Sequence, residues 1–104
     1  MSKKIYISGR ISGIENEAPK LFAIAEKKLR AQGFVVVNPM TLNHDHDKTW
    51  ESYMREDIKA LCDCDEIYML SNWPDSRGAI VEHGLAHTLG LKIRYEGPYI
   101  NTTD

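Results

Sequence analysis

The sequence predicts a single α/β domain built on an open parallel sheet, and three observations carry that prediction. Short apolar, β-branched runs alternate with longer segments of helical spacing, the pattern of successive βαβ units. No repeat, linker or low-complexity stretch interrupts the alternation. At 104 residues, 42% of them hydrophobic, the chain has the size and apolar content for one core spanning residues 1–104.

The elements follow in order. Ile5-Tyr6-Ile7-Ser8 reads as the first strand and runs into Gly9-Arg10-Ile11-Ser12-Gly13, where glycines permit a tight turn and close approach of a ligand. Ala18, Leu21, Phe22, Ala25 and Leu29 then recur at helical spacing with charges between them, and Gly33 supplies the stop. Phe34 to Val37 is almost wholly apolar, as expected of a strand covered on both faces, and Asn38-Pro39 ends it. After a polar loop around Asn43 to Lys48, Trp50, Tyr53, Met54, Ile58 and Leu61 mark the inward face of a second helix. Glu66 to Leu70 is a third strand, Ser71 to Gly78 a turn-rich loop, Ala79 to Leu89 a third helix closed by Gly90, and Lys92 to Tyr95 a fourth strand. The tail from Gly97 to Asp104 reads as an edge strand, a contact to a neighbouring subunit (through Tyr99 or Asn101) or a loose end.

Right-handed crossovers would place helices on both faces of a sheet of four or five strands, a flavodoxin-like or Rossmann-like arrangement. Ligands of such sheets bind beyond the carboxyl ends of the strands, where strand order reverses, so the loops after the first and third strands should meet at the working site.

Composition removes several function classes. A formal net charge of -2 and an isoelectric point near 6.1 provide no broad basic surface for a nucleic-acid polymer or an anionic membrane. The apolar run after Lys4 is too short for a signal core or a membrane span, and the expectation is a cytoplasmic protein. Cys62 and Cys64 are one residue apart, which suits neither a redox motif nor a zinc knuckle, so both are read as reduced packing residues. The glycines form neither a dinucleotide fingerprint nor a triphosphate-binding loop, which disfavours a Rossmann oxidoreductase and a nucleotide triphosphatase. His44-Asp45-His46-Asp47 is read as a solvated loop rather than a metal site, and His83 and His87 as surface or subunit-contact residues. No cofactor or metal is expected. Trp50 and Tyr53 are assigned to the core, while Trp73 is read equally as stacking on a ligand ring or as shielding it from water.

Two carboxylates break the apolar pattern. Asp57 follows Met54 by three residues and precedes Leu61 by four, while Glu82 follows Ala79 by three and precedes Ala86 and Leu89 by four and seven. Each therefore falls on a packed helix face, where a charge needs a partner or a function. Glu82 lies about one turn into its expected helix, where amide groups and the helix dipole favour an ionised carboxylate, so a nucleophile is one reading and a stabilising charge the other. Ser76-Arg77-Gly78 ahead of it suits either a helix cap or the holding of an anion or ligand hydroxyls.

Tyr6-Ile7-Ser8-Gly9-Arg10-Ile11-Ser12-Gly13, Asp57 before the third strand, and Ser76-Arg77-Gly78-Ala79-Ile80-Val81-Glu82 together resemble the nucleoside 2-deoxyribosyltransferase superfamily. The resemblance covers nearly the whole chain and looks closest to the compact branch of 2′-deoxynucleoside 5′-phosphate N-hydrolases and their phage and bacterial relatives. It implies cleavage of the bond between a 2-deoxyribose and its base through a glutamyl intermediate, which passes to water in a hydrolase or to a second base in a transferase. It also implies a small-molecule nucleoside or nucleotide as partner and a homo-oligomer, dimer or larger.

Glu82 matches the nucleophile, Asp57 the second carboxylate that orients the sugar, and Tyr6 the tyrosine that positions the nucleophile or contacts the sugar; on residue type alone Tyr6 reads equally as a strand aromatic. Ser8, Gly9, Arg10, Ile11, Ser12, Ser76 and Gly78 match substrate-binding positions. Arg10 and Ser12 stand in the opposite order to the branch's serine-then-arginine, and Arg77 has no counterpart there. Hydrolysis is favoured over base transfer, with a modified nucleotide as a variant substrate and a non-catalytic nucleotide-binding module as the alternative class.

Overall fold

The computed structural model describes residues 2–97. The elements are β1 (Lys4–Ser8), α1 (Ala18–Ala31), β2 (Val35–Val37), α2 (Trp50–Cys62), β3 (Glu66–Met69), α3 (Arg77–Thr88) and β4 (Lys92–Tyr95), with 3-10 turns at Pro39–Thr41 and Trp73–Asp75. All strand pairs are parallel and the order is β2-β1-β3-β4, so the described residues form a four-stranded flavodoxin-like sheet. The tail readings, Tyr99 and Asn101 included, lie outside the described residues.

Strand alternation divides the core in two. Ile5 and Ile7 of β1, with Tyr68 and Leu70, face Phe22, Ala25 and Leu29 of α1. Tyr6, Ile67 and Met69 point the other way, onto Leu61 of α2 and Ala79 and Ala86 of α3. Each large apolar side chain buried in this way contributes roughly 1.5–3 kcal/mol relative to exposure. Ser8 shares the face of Tyr6, because residues two apart on a strand point the same way.

Local signals set the helix ends. The Thr49 hydroxyl accepts the Ser52 N–H at 3.2 Å to open α2, and the Ser76 hydroxyl accepts the Ala79 N–H at 3.1 Å to open α3. This cap starts α3 at Arg77, two residues before the sequence reading placed it. Leu89 is the residue that ends α3 and is 52% exposed, so it does not share the packed face assigned to it. β2 is an edge strand on which Val36 alone is buried, which corrects the expectation of cover on both faces. Cys64 packs in the core as expected, whereas Cys62 is exposed.

Gly9 is the residue on which the first turn depends. A Cβ built there would sit 2.6 Å from Leu70 Cδ1 and 2.9 Å from Leu70 Cβ, so only glycine lets the chain leave β1 this close to the end of β3. Gly9→Ala is expected to lower unfolding free energy by about 1–3 kcal/mol in urea titrations. An unchanged midpoint would mean that Leu70 shifts without cost.

Candidate active site

Between β1 and β3 the chain reverses its direction across the sheet, and the loops after these strands separate to leave a cleft of about 830 Å³. Such a volume suits a small organic ligand. The Arg10 N–H donates to Asn72 Oδ1 at 2.9 Å and ties the two loops together. Tyr6, Ser8, Gly9, Arg10, Ile11, Ser12, Asp57, Ser76, Gly78 and Glu82 all line this one cleft. The fold thus gathers every site residue expected from sequence, although they come from β1, α2, α3 and two loops.

Glu82 lies at the floor, 5% exposed. The Tyr6 hydroxyl donates to its Oε2 at 2.8 Å and the Ser8 hydroxyl to its Oε1 at 2.6 Å. Both donors reach one carboxylate because β1 points them to the same face, under the second turn of α3. Ser8, 1% exposed, is therefore first a partner of Glu82, a role beyond the ligand contact expected of it. Burial pushes the Glu82 carboxyl up to about 7; the Ser8 and Tyr6 hydrogen bonds oppose that rise, and the Asp57 charge adds to it. Because α3 begins at Arg77, Glu82 lies beyond the first turn, where the helix dipole fades, and burial outweighs the ionising effect anticipated from sequence. Burial also holds the Tyr6 hydroxyl well above its ordinary range, keeping it a donor.

Asp57 enters from α2. Its Oδ1 is buried without a hydrogen-bond partner among the described residues, and the nearest cationic group is His44 Nε2 at 3.8 Å. Burial raises this carboxyl to about 6, against the lowering effect of His44 and His46. Two like charges in one cleft resist joint ionisation, so near neutral pH the pair tends to retain a proton, and its apparent values belong to both groups together.

Several lining residues were misread or missed. Trp50 and Tyr53 are half-buried in the cleft wall rather than in the core, and the Arg77 guanidinium lies 3.7 Å from the Trp50 ring centroid. Asp45 and Asp47 are exposed, as expected of a solvated loop, but His44 and His46 are half-buried and both pack against Tyr53, at 4.8 and 4.9 Å between ring centroids. Trp73 instead stacks on His83 at 4.3 Å, outside the cleft lining, and His83 Nε2 meets the Tyr95 hydroxyl at 2.7 Å. The missed signals were aromatic: Trp50 and Tyr53 fit core spacing equally well, and separating core from cleft required knowing which strand ends open.

A family model described as a domain of unknown function, DUF4406, matches residues 3–95. The chain belongs to the DUF4406 family. Among solved structures, the DUF4406 fold is similar to a 2-deoxyribosyltransferase from the psychrotolerant bacterium Bacillus psychrosaccharolyticus, with a TM-score of 0.69 and 24% identity over 94% of this chain and 77% of that one. At this identity the likeness establishes the fold. No curated protein matches the chain. Among the described residues, no helix is long and apolar enough to cross a membrane.

The raised Glu82 carboxyl has a consequence for stability. Its folded value of about 7 exceeds the usual 4.5, so between these values the folded state holds more protons than the unfolded state and stability falls as pH rises. Glu82→Gln removes that titration while keeping the size of the side chain. The variant is expected to gain on the order of 2–3 kcal/mol over wild type between about pH 5 and pH 8, read from urea midpoints. Parallel pH profiles for the two proteins would show that Glu82 ionises freely.

Proposed function

We propose that this DUF4406 chain is an enzyme that cleaves the N-glycosidic bond of a 2′-deoxynucleoside or its 5′-monophosphate by hydrolysis, with Glu82 attacking C1′. The observation that carries this reading is the buried Glu82 carboxylate gripped by the Tyr6 and Ser8 hydroxyls at the floor of a ligand-sized cleft. A charged, buried carboxylate fixed at both oxygens is suited to meet positive charge developing at an oxocarbenium-like carbon. The likeness to a 2-deoxyribosyltransferase fold supports the substrate class.

In the proposed reaction a Glu82 oxygen forms a bond to C1′, the C1′–N bond breaks with its electron pair passing to the base, and the base accepts a proton. Asp57 orients the sugar and delivers that proton. Water then attacks C1′ and passes its proton to the Asp57 carboxylate, which releases the deoxyribose, returns Glu82 to a carboxylate and restores the Asp57 carboxyl. The productive form, with charge on Glu82 and the retained proton on Asp57, is the less populated arrangement of the singly protonated pair, because Glu82 has the higher value of the two. Arg10, Ser12, Ser76 and Gly78, joined by Arg77, form the rim that would receive a 5′-phosphate, and Trp50 and Tyr53 flank the space for a base. A neighbouring copy would complete the pocket, and light scattering that finds a monomer at assay concentration would remove this part of the proposal.

Chromatography of free base after incubation with deoxynucleosides, their 5′-monophosphates and the ribose counterparts tests the reading. Base release from deoxy substrates is expected, reduced at least about 10³-fold in Glu82→Gln. The pH profile of kcat/KM is expected to be bell-shaped, with its optimum between about 6 and about 7, falling in acid as the carboxylate pair takes a second proton and in alkali as it loses its retained one. Base exchange with an added free base, without free sugar, would instead make the chain a transferase. Nucleotide binding with no release, unaffected by Glu82→Gln, would leave a binding module.

A further inference from the structure

Arg10, Ser12 and Glu15 line the cleft from the loop after β1, and the proposed reaction gives Glu15 no part. The Gly13 N–H donates to Glu15 Oε2 at 3.0 Å. This bond, with the carboxylate's bond to its own backbone N–H and the nearby Arg10 charge, holds the Glu15 carboxyl below its ordinary value, so it is an anion at neutral pH. Gly13 has a φ of 87°, and a Cβ there would lie 2.6 Å from Arg10 Nη2. The guanidinium therefore lies against the same residue whose N–H holds the carboxylate. A backbone N–H and a guanidinium are donors that a phosphate group takes. In this loop they already serve an anion of the chain's own.

The cations of the cleft wall are engaged as well. Arg10 Nε donates to the Ser12 carbonyl oxygen at 3.0 Å, Lys48 Nζ donates to that of His44, and the Arg77 guanidinium stacks on Trp50. Glu15, Asp57, Asp75 and Glu82 line the cleft against these three, so even with one proton held between Asp57 and Glu82 they leave no surplus of positive charge. A phosphate dianion entering beside Arg10 and Ser12 must displace the Glu15 carboxylate or stand next to it, and like charges at close range repel. A 5′-hydroxyl meets no such repulsion and can donate a hydrogen bond to a carboxylate.

We propose that Glu15 is a specificity-determining residue that turns away a 5′-phosphate, so that the substrate class is the uncharged 2′-deoxynucleoside rather than its 5′-monophosphate. This rests on the glycosidic reading of the site. The rim that would receive a 5′-phosphate already holds an anion on its first loop, and that anion is built into the chain. Its effect falls on binding of the 5′ substituent and not on the bond-breaking step, so it is read in KM rather than in kcat. Because Glu15 is exposed, added salt screens the repulsion and narrows the discrimination.

The test compares wild type with Glu15→Gln on the 2′-deoxynucleosides and their 5′-monophosphates. Glutamine keeps an oxygen that can accept the Gly13 N–H and removes only the charge. Wild type is expected to favour the nucleosides by at least about 10-fold in kcat/KM, and Glu15→Gln to reduce that preference at least about 5-fold through a lower KM for the monophosphates. A wild type that favours the monophosphates would overturn the proposal. So would a preference unchanged in Glu15→Gln, including equal losses on both substrate classes, which would leave Glu15 a purely structural role. A second measurement needs no turnover: in two-dimensional amide NMR spectra with added inorganic phosphate, the Gly13 signal is expected to stay in place in wild type and to shift saturably in Glu15→Gln. The same response in both proteins would contradict the proposal. If wild type releases base from neither class, the glycosidic reading fails while the Gly13 signal still decides the role of Glu15; if wild type is active and the two proteins share one preference, only this inference fails.

Discussion

The fold and the chemistry of this chain meet in one constraint: a carboxylate buried on the inner face of α3 must be satisfied from the strand beneath it. β1 does this with two hydroxyls spaced by the strand period, Tyr6 to one oxygen of Glu82 and Ser8 to the other. The same alternation sends Ile5 and Ile7 into the opposite core under α1. A one-residue slip of β1 would therefore bury its isoleucines against Glu82 and turn both hydroxyls away from it. Sheet register, core composition and site geometry are fixed together. A buried carboxylate left without these donors would cost several kcal/mol, enough to threaten a domain of this size.

The second consequence is electrostatic. Glu82 and Asp57 are both pushed upward chiefly by burial; the Asp57 charge adds to the rise of Glu82, and the Glu56 charge to that of Asp57. Such a cleft retains a proton at the pH where free carboxylates have lost theirs, which a reaction needing both a nucleophile and a proton source can use. Stability is lost in exchange, as expected where a site is organised for chemistry rather than for the folded state. Arg10, Lys48 and Arg77 line the same cleft together with Glu15 and Asp75, so its wall carries both signs of charge.

Much of this was legible in the residues. The order of strands and helices, the burial of Glu82 and Asp57 on packed faces and the meeting of two loops at the strand ends all follow from periodicity and topology. What failed has physical reasons. Val35 fits the pattern of a covered strand, but an apolar run does not show whether its strand lies at an edge. Trp50 and Tyr53 obey helical core spacing, yet α2 turns that face toward the cleft. The polar run His44 to Asp47 looked solvated because its composition is hydrophilic, whereas packing on Tyr53 and the 2.7 Å contact between the two rings draw its imidazoles inward. Two 3-10 turns escaped notice since Pro39 and Pro74 read equally as plain loop signals.

The central claim is that Glu82 bonds covalently to C1′, and stereochemistry tests it most directly. Run in aqueous methanol, a double displacement transfers the deoxyribosyl group to methanol with retention at C1′, and the methyl deoxyriboside keeps its anomeric configuration for proton NMR to read. The account predicts the β-anomer from a β-deoxynucleoside. The α-anomer would mean that solvent attacks directly in a single displacement, and would contradict a glutamyl intermediate at Glu82.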